Sequence, residues 1–306
     1  MLICDTPVRM DATELAPGPA EEWLASVLSP HTQRAYRTDV EDFFGKPVEL
    51  LAEEDLRMVT TQRVIAWRDR LRAVLAPATV ARKLAALRAL FRFAQALGVV
   101  DRNPARPELV HVPKVADEST TRGLTAEEAR RLLDAITGDD LAALRDRALL
   151  ELALRTGLRR AELVAADRTD LGTERGYTVL TVTSKGGKRQ SVKVPPPAAH
   201  ALDVYLAART DDSPALFVSH ARNGTAGRRL SAQGIYDRVT HYACRAGLYD
   251  VTPHSLRHTF VTLALDGGAS LRQVQAAARH VDPRTTARYD RRRNFLDDNA
   301  VDYVHF

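Results

Sequence analysis

The segment 176–195, GYTVLTVTSKGGKRQSVKVP, changes from a helical to a two-residue hydrophobic period. Residues 179–183 (VLTVT) place successive side chains on opposite faces of a strand, and the run SVKVP follows after a turn. Gly186 and Gly187 lie at the tip of that turn, so the pattern predicts a β-hairpin. Because helical periods dominate elsewhere, the chain is predicted to be mainly α with a small antiparallel β-sheet.

The first third of the chain carries helical signals from residue 20 to about residue 105. Ser29 followed by Pro30 is a capping residue before proline at the first helical position, and the predicted helix ends at Gly45. The segment 78–98, ATVARKLAALRALFRFAQALG, places leucines on one side and arginines on the other. This pattern predicts a helix that packs through its apolar face and directs guanidinium groups outward.

Proline content and loss of periodicity divide the chain. Residues 1–19 contain three prolines and no clear period, which predicts a flexible tail. Residues 20–105 are predicted to form a helical domain. The proline-containing segment 106–122 is predicted to be a linker. Residues 123–306 are then predicted to form a second, α+β domain.

Charge is distributed unevenly along the chain. The formal net charge is +5 over 306 residues. Residues 1–60 carry −7, residues 61–113 carry +7, and the remainder carries +5. The concentrated positive block indicates a polyanionic partner. An arginine-rich solvated surface is the alternative that charge alone leaves open.

The sequence indicates neither a membrane-spanning helix nor a secreted, disulfide-bonded protein. No apolar run reaches the ~18 residues of a spanning helix, and the first twenty residues lack a signal-peptide pattern. Two cysteines, Cys4 and Cys244, suggest neither a metal site nor a disulfide framework. A reducing cytoplasm is therefore the expected location.

The stretch VTPHSLRHTF, 251–260, gathers three side chains that can be cationic at the start of a predicted helix. His254 and His258 have the i, i+4 spacing of zinc ligands, but Arg257 next to them disfavours a divalent cation. An anion suits the stretch better, because a helix N-terminus carries unpaired N–H groups and a positive dipole end. A structural histidine in a capped helix remains the alternative.

Further groups of the same kind occur at predicted turns. Arg159 lies in TGLRRAEL after a helix-breaking glycine, and Lys185 lies at the hairpin tip. His280 and Tyr289 lie nine residues apart in RHVDPRTTARYD. Together they supply what phosphoryl transfer without a metal requires: cations, a hydroxyl nucleophile and a proton donor. No cofactor or metal is expected.

These residues, in this order, resemble the tyrosine recombinase (phage integrase) family, and most of all its two-domain, Xer-like members. TGLRRAEL, TPHSLRHTF and HVDPRTTARY resemble the three catalytic boxes of the family, and SPHTQRAYRTDVEDF resembles the first helix of its core-binding domain. The likeness covers roughly residues 20–300. It implies a helical, SAM-like core-binding domain followed by an α+β catalytic domain.

The resemblance assigns roles to the phosphate-binding residues. Arg159 and Arg257 would clamp the scissile phosphate, and His280 would donate to a non-bridging oxygen. Glu162, three residues after Arg159, would support the pocket. His258 would lie outside the catalytic set and serve in helix packing.

It also assigns the proton transfers and the nucleophile. Tyr289 would attack to form a 3′-phosphotyrosyl bond, and His254 would act as a base or positioning group beside it. Lys185 would be the general acid to the 5′-oxygen. The family usually has Leu-Gly before the third-box histidine, whereas Ala278 and Arg279 occur here. The missing glycine is expected to alter the turn that delivers His280, and Arg279 is a candidate for reaching DNA.

The implied activity is site-specific recombination between two DNA duplexes by integration, excision or dimer resolution. Its partners would be double-stranded DNA with a specific recombination site and either further copies of the same chain, in a tetramer on the DNA, or a related recombinase. The expected location is the nucleoid. The C-terminal segment would dock on a neighbouring subunit. Two alternatives are DNA relaxation of the type IB topoisomerase kind and an inert DNA-binding regulator. The residues expected to contact DNA are Arg82, Arg88, Arg92, Arg222, Arg228 and Arg229.

Overall fold

The computed structural model of the protein describes residues 17–112, 122–183, 187–221 and 224–279. The chain divides into two compact units, 1–116 and 117–306. The division falls inside the segment that the sequence analysis assigned to a linker. The predicted tail lies almost wholly outside the described residues.

Helices α1 to α5 build the N-terminal domain. Their bounds are α1 Pro19–Ser26, α2 Pro30–Phe44, α3 Glu53–Arg57, α4 Thr61–Val74 and α5 Pro77–Ala96, with a 3₁₀ turn at Val48–Leu50. Ser29 caps α2 by accepting the Thr32 N–H, and Gly45 ends it with a φ of +73°. These ends agree with the sequence prediction.

Helix α5 is the centre of this domain, because α1, α2 and α4 all pack against it. Its buried face repeats at intervals of three and four residues, as an amphipathic helix requires. The tryptophans of α1 and α4, Trp23 and Trp67, complete the same core. The buried residues of α5 are Val80, Leu84, Ala86, Leu87, Leu90, Phe91 and Ala94.

The second domain combines seven helices with a sheet among the residues that are described. The helices are α6 Ala126–Asp134, α7 Leu141–Thr156, α8 Arg160–Ala165, α9 Pro196–Ala208, α10 Ala232–Arg245, α11 Pro253–Asp266 and α12 Leu271–Ala278. Helix α7 is the central one and packs against α6, α9 and α11. Thr125 and Glu128 form a capping box at the start of α6.

Three antiparallel strands, in the order β1–β2–β3, form the sheet. They are β1 Leu171–Glu174, β2 Tyr177–Thr183 and β3 Arg189–Lys193. Leu180 pairs with Val192, and both are buried, so one face of the hairpin packs on the domain core. This confirms the predicted class, mainly α with a small antiparallel sheet. The hairpin tip at 184–186 lies outside the described residues.

None of the helices in the described ranges is long and apolar enough to cross a membrane.

Candidate active site

A glycine turn between α7 and α8 fixes the position of Arg159. Gly157 ends α7 with a φ of +60°, in the left-handed region. A Cβ at this position would come within 2.5 Å of a ring carbon of Phe260, so backbone and space both require glycine. The chain then enters α8 with Arg159 as its N-cap residue.

Glu162 holds Arg159 from the first turn of α8. Its carboxylate accepts the Arg159 backbone N–H at 2.7 Å and the Arg159 Nη1 at 2.9 Å. The Nη2 of Arg279 donates to it at 2.9 Å. Burial opposes ionisation of Glu162, but the Arg279 charge and these hydrogen bonds outweigh it and lower the pKa of Glu162. Glu162 is therefore a buried carboxylate that stays ionised.

Arg257 projects from the first turns of α11. Thr252 caps this helix and Pro253 occupies its first position, so the helix starts within the stretch where the sequence predicted it. The Arg257 side chain is buried and donates to the carbonyl oxygens of Gly157 and Ala278. Arg257 thus ties the turn before Arg159 to the C-terminal end of α12.

His254 and His258 lie one helical turn apart on α11 and contact each other. Their Nε2 atoms are 3.1 Å apart, so one ring donates a hydrogen bond and the other accepts it. His258 is buried, as expected of a packing residue, but its ring also holds that of His254. Desolvation by the surrounding protein, and secondly the Arg257 charge, lower the pKa of His254. His254 is therefore biased towards its neutral form.

Arg279 ends α12 in a conformation normally taken by glycine. Its φ of +56° and ψ of +44° are left-handed, at a cost of roughly 1–2 kcal/mol for a residue with a Cβ. The expected change in the turn that delivers His280 stays a prediction, because His280 lies outside the described residues. The expectation that Arg279 reaches DNA is corrected, because its side chain is only 6% exposed and pairs with Glu162.

The separately predicted residues Arg159, His254 and Arg257 line one cavity of about 450 Å³. Arg160 and Tyr236 also line it and were not predicted as site residues. Arg160 could have been suspected from its place beside Arg159, whereas no sequence signal singles out Tyr236 on α10. Lys185, His280 and Tyr289 lie outside the described residues, so their prediction stands untested.

The three arginines predicted to contact DNA from α5 differ in surroundings. Arg92 is exposed, and no described residue pairs with its guanidinium. Arg82 is partly exposed and pairs with the buried Asp39 of α2. Arg88 is half-buried and donates to the backbone carbonyls of Ala105, at 2.8 Å, and Val110. This corrects the expectation that all three guanidinium groups point away from the domain, because Arg88 is used within it.

The loop before α10 shows a similar division. Arg228 is exposed, with no side-chain partner among the described residues. Arg229 donates to the carbonyls of Val164 and Ala166, both at 2.9 Å, and pairs with Asp167. Its guanidinium is held by the segment after α8 while the residue remains exposed, and its contact with DNA stays a prediction. Arg222 lies outside the described residues.

Two guanidinium groups and an imidazole line one small cavity, and such groups suit an anionic ligand. The chain matches the phage integrase family over residues 122–294 and the SAM-like N-terminal domain of phage integrases over residues 23–98. It therefore belongs to the phage integrase family of tyrosine recombinases.

Similar proteins support the same assignment. Tyrosine recombinase XerD of Mycobacterium leprae is 38% identical over 231 residues, covering 71% of this chain and 70% of that protein. Tyrosine recombinase XerC of a Roseiflexus species is 34% identical over 272 residues, covering 86% and 83%. A lambda integrase dimer bound to a COC′ core site shares the fold, with a TM-score of 0.68, 22% identity and coverage of 89% and 94%.

The relatives establish the activity that the resemblance implied. The protein is a tyrosine-type, site-specific DNA recombinase with Xer-like character. They do not favour the alternatives of a DNA-relaxing topoisomerase or an inert regulator. DNA is accordingly its partner.

Proposed function

We propose that the cavity lined by Arg159, His254 and Arg257 binds the scissile phosphate of a recombination site. The observation that carries this proposal is the convergence of the three side chains from two separate helix N-termini on one cavity. Arg159 is 40% exposed and retains N–H groups for a ligand. Arg257 is more deeply buried than Arg159 and would bind the same phosphate.

Chemistry at this phosphate needs no external energy. The phenol oxygen of Tyr289 attacks phosphorus and forms a 3′-phosphotyrosyl bond while the bond to the 5′-oxygen breaks. The phenol proton passes to His254, and Lys185 protonates the departing 5′-oxygen. His280 donates a hydrogen bond to a non-bridging oxygen. A 5′-hydroxyl from the second duplex then reverses the reaction and reseals the strand.

The electrostatics of His254 suit a base. A free tyrosine has a pKa near ~10, so a neutral imidazole and nearby cations are needed to remove its proton near neutral pH. The lowered pKa of His254 keeps the imidazole neutral. The adjacent arginines stabilise the negative charge that develops on the phosphate oxygens.

Assembly completes the proposal. Four copies, or two pairs of related recombinases, hold two duplexes on the nucleoid in the cytoplasm. Residues near the C-terminus of one copy dock on the next and couple the active sites. Arg92 and Arg228 are the exposed cations that we assign to DNA contact. Sedimentation of the complex with a cognate duplex measures the number of copies, and a 1:1 complex would contradict the tetramer.

Trapping of the covalent intermediate tests the proposed chemistry. A nicked duplex, built on the site recovered from co-purifying DNA, loses the released 5′-hydroxyl strand and accumulates the adduct. We expect adduct formation by the unaltered protein and none by Tyr289→Phe. Tyr249→Phe is the matched control, because Tyr249 is 82% exposed and lies outside the cavity. An adduct that persists in Tyr289→Phe and disappears in Tyr236→Phe would show that Tyr236, which lines the cavity, is the nucleophile.

A further inference from the structure

Arg279 occupies a position whose conformation favours glycine, yet its side chain is buried and its hydrogen bonds lead to the phosphate site. The guanidinium donates to Glu162 at 2.9 Å and to the carbonyl of Ala277 at 2.8 Å. A long cationic side chain at a left-handed helix end would ordinarily extend into solvent. Here it is directed inward, which indicates a specific partner.

The hydrogen bonds form a closed ring of three residues. Arg159 donates through Nη1 to Glu162, and Arg279 donates through Nη2 to the same carboxylate. Arg159 then donates through Nη2 to the main-chain carbonyl of Arg279, at 3.0 Å. The turn that leads into the third catalytic box is thereby joined directly to the first catalytic arginine.

Charge within the ring is arranged asymmetrically. Arg279 and Glu162 are both buried, with side chains 6% and 5% exposed, whereas Arg159 is open to the cavity. The buried pair is neutral, so the ring keeps its net charge of +1 on the side that faces a ligand. Without Arg279, the Glu162 carboxylate would cancel the charge of Arg159 and hold that side chain away from an anion.

We propose that Arg279 is a positioning residue for strand cleavage: it neutralises Glu162 so that Arg159 can direct its positive charge at the scissile phosphate. This inference rests on the proposed function of the cavity. The side chain of Arg279 would neutralise Glu162, which glycine, the usual residue of the family at this position, has no side chain to do.

The test separates the charge of Arg279 from its backbone. Arg279→Lys keeps the charge, Arg279→Gln keeps a polar hydrogen-bonding side chain without the charge, and Arg279→Gly keeps the left-handed backbone alone. We expect Lys to form the covalent adduct at a rate close to that of the unaltered protein. We expect Gln and Gly to be slower by about tenfold or more, because a displaced catalytic group loses transition-state contacts. Arg272→Gln, an exposed arginine on the same helix, should match the unaltered protein.

DNA affinity and a charge-rescue variant distinguish positioning from folding. DNA affinity should change by no more than about twofold, because many phosphate contacts share it. Glu162→Gln combined with Arg279→Gln restores a ring charge of +1 and should cleave faster than Arg279→Gln alone. A purely structural role predicts the opposite order, since the double variant removes two buried hydrogen-bonding groups.

The outcomes are separable. Equal rates for Lys and Gln, or a double variant slower than Arg279→Gln, would overturn the role of Arg279. The Lys and Gln comparison holds even where Arg279→Gly fails to fold. Failure of the unaltered protein to form any Tyr289 adduct would instead overturn the proposed function itself.

Discussion

Each domain contains a buried carboxylate held between two basic side chains, and the two carboxylates ionise differently. In the N-terminal domain, Asp39 lies between Arg82 and Lys83. In the catalytic domain, Glu162 lies between Arg159 and Arg279. Burial dominates at the first and raises the pKa of Asp39, whereas the partners prevail at the second and lower the pKa of Glu162.

The Arg279 charge is the largest cause that lowers the pKa of Glu162, and the two carboxylates also differ in how well they are hydrogen-bonded. Glu162 accepts a backbone N–H and two guanidinium groups. Asp39 accepts no backbone N–H from any described residue, and the Lys83 Nζ is 3.4 Å from its Oδ1. Each carboxylate has two basic neighbours, so the number of neighbouring charges alone would predict the same pKa shift for both. The comparison teaches that a nearby charge together with well-formed hydrogen bonds, the backbone N–H among them, decides whether a buried carboxylate is a stable charge.

Replacement of Glu162 by alanine should produce the largest effect. Two guanidinium groups would lose their anion, one of them buried, and breaking a buried pair costs about 3–5 kcal/mol. We expect the catalytic domain to lose that much free energy of unfolding and the protein to lose strand cleavage.

The measurement must report the catalytic domain alone. The protein contains two tryptophans, Trp23 and Trp67, and both lie in the N-terminal core, so tryptophan fluorescence follows the other domain. Amide hydrogen exchange in α7 and α11 therefore measures the change, with fluorescence as the internal control. Unchanged exchange in α7 and α11 would contradict the importance of Glu162.

The neutral isostere Glu162→Gln should produce a smaller loss. It retains the size and an acceptor but forfeits charge-assisted hydrogen bonds, worth about 1–3 kcal/mol. Acid should act on the unaltered protein in the same direction. The contribution of Glu162 is complete above the ordinary glutamate pKa of about 4.3 and is lost as pH falls through its lowered folded-state pKa. Exchange measured across pH should show this loss in the unaltered protein and not in Glu162→Gln.

Much of the fold was predictable because its signals are local. Ser29, Pro30 and Gly45 mark both ends of α2, and the hairpin follows from the alternation around its turn. Strand β1 has the sequence LGTE, which shows no such alternation, and it is defined only by pairing with β2. The proline-rich start of α9 likewise gave no helical pattern by which to predict it.

The sequence predicted which residues form the candidate site but not the hydrogen bonds and ion pairs that link them. Arg159, His254 and Arg257 were recognised separately and line one cavity. The inward direction of Arg279 depends on Glu162, 117 residues earlier in the chain, and no local pattern contains that information. Arg88 was assigned outward for the corresponding reason, because the carbonyls that hold it come from the chain after α5.

Asp39→Asn should have the smallest effect and the opposite sign. Since burial raises the pKa of Asp39, the folded state binds a proton more readily than the unfolded state does. The stability linked to that proton is complete below the ordinary aspartate pKa of about 3.9 and is lost as pH rises through the raised folded-state pKa. A neutral asparagine avoids this loss, so at pH 7 we expect the N-terminal domain to be unchanged or stabilised by up to about 1 kcal/mol.

Tryptophan fluorescence during urea unfolding measures this change in the free energy of unfolding, and the gain should fade towards pH 4. A destabilisation at pH 7 as large as that of Glu162→Gln would show that Arg82 and Lys83 satisfy Asp39 as fully as the catalytic domain satisfies Glu162, and the contrast between the two carboxylates would disappear.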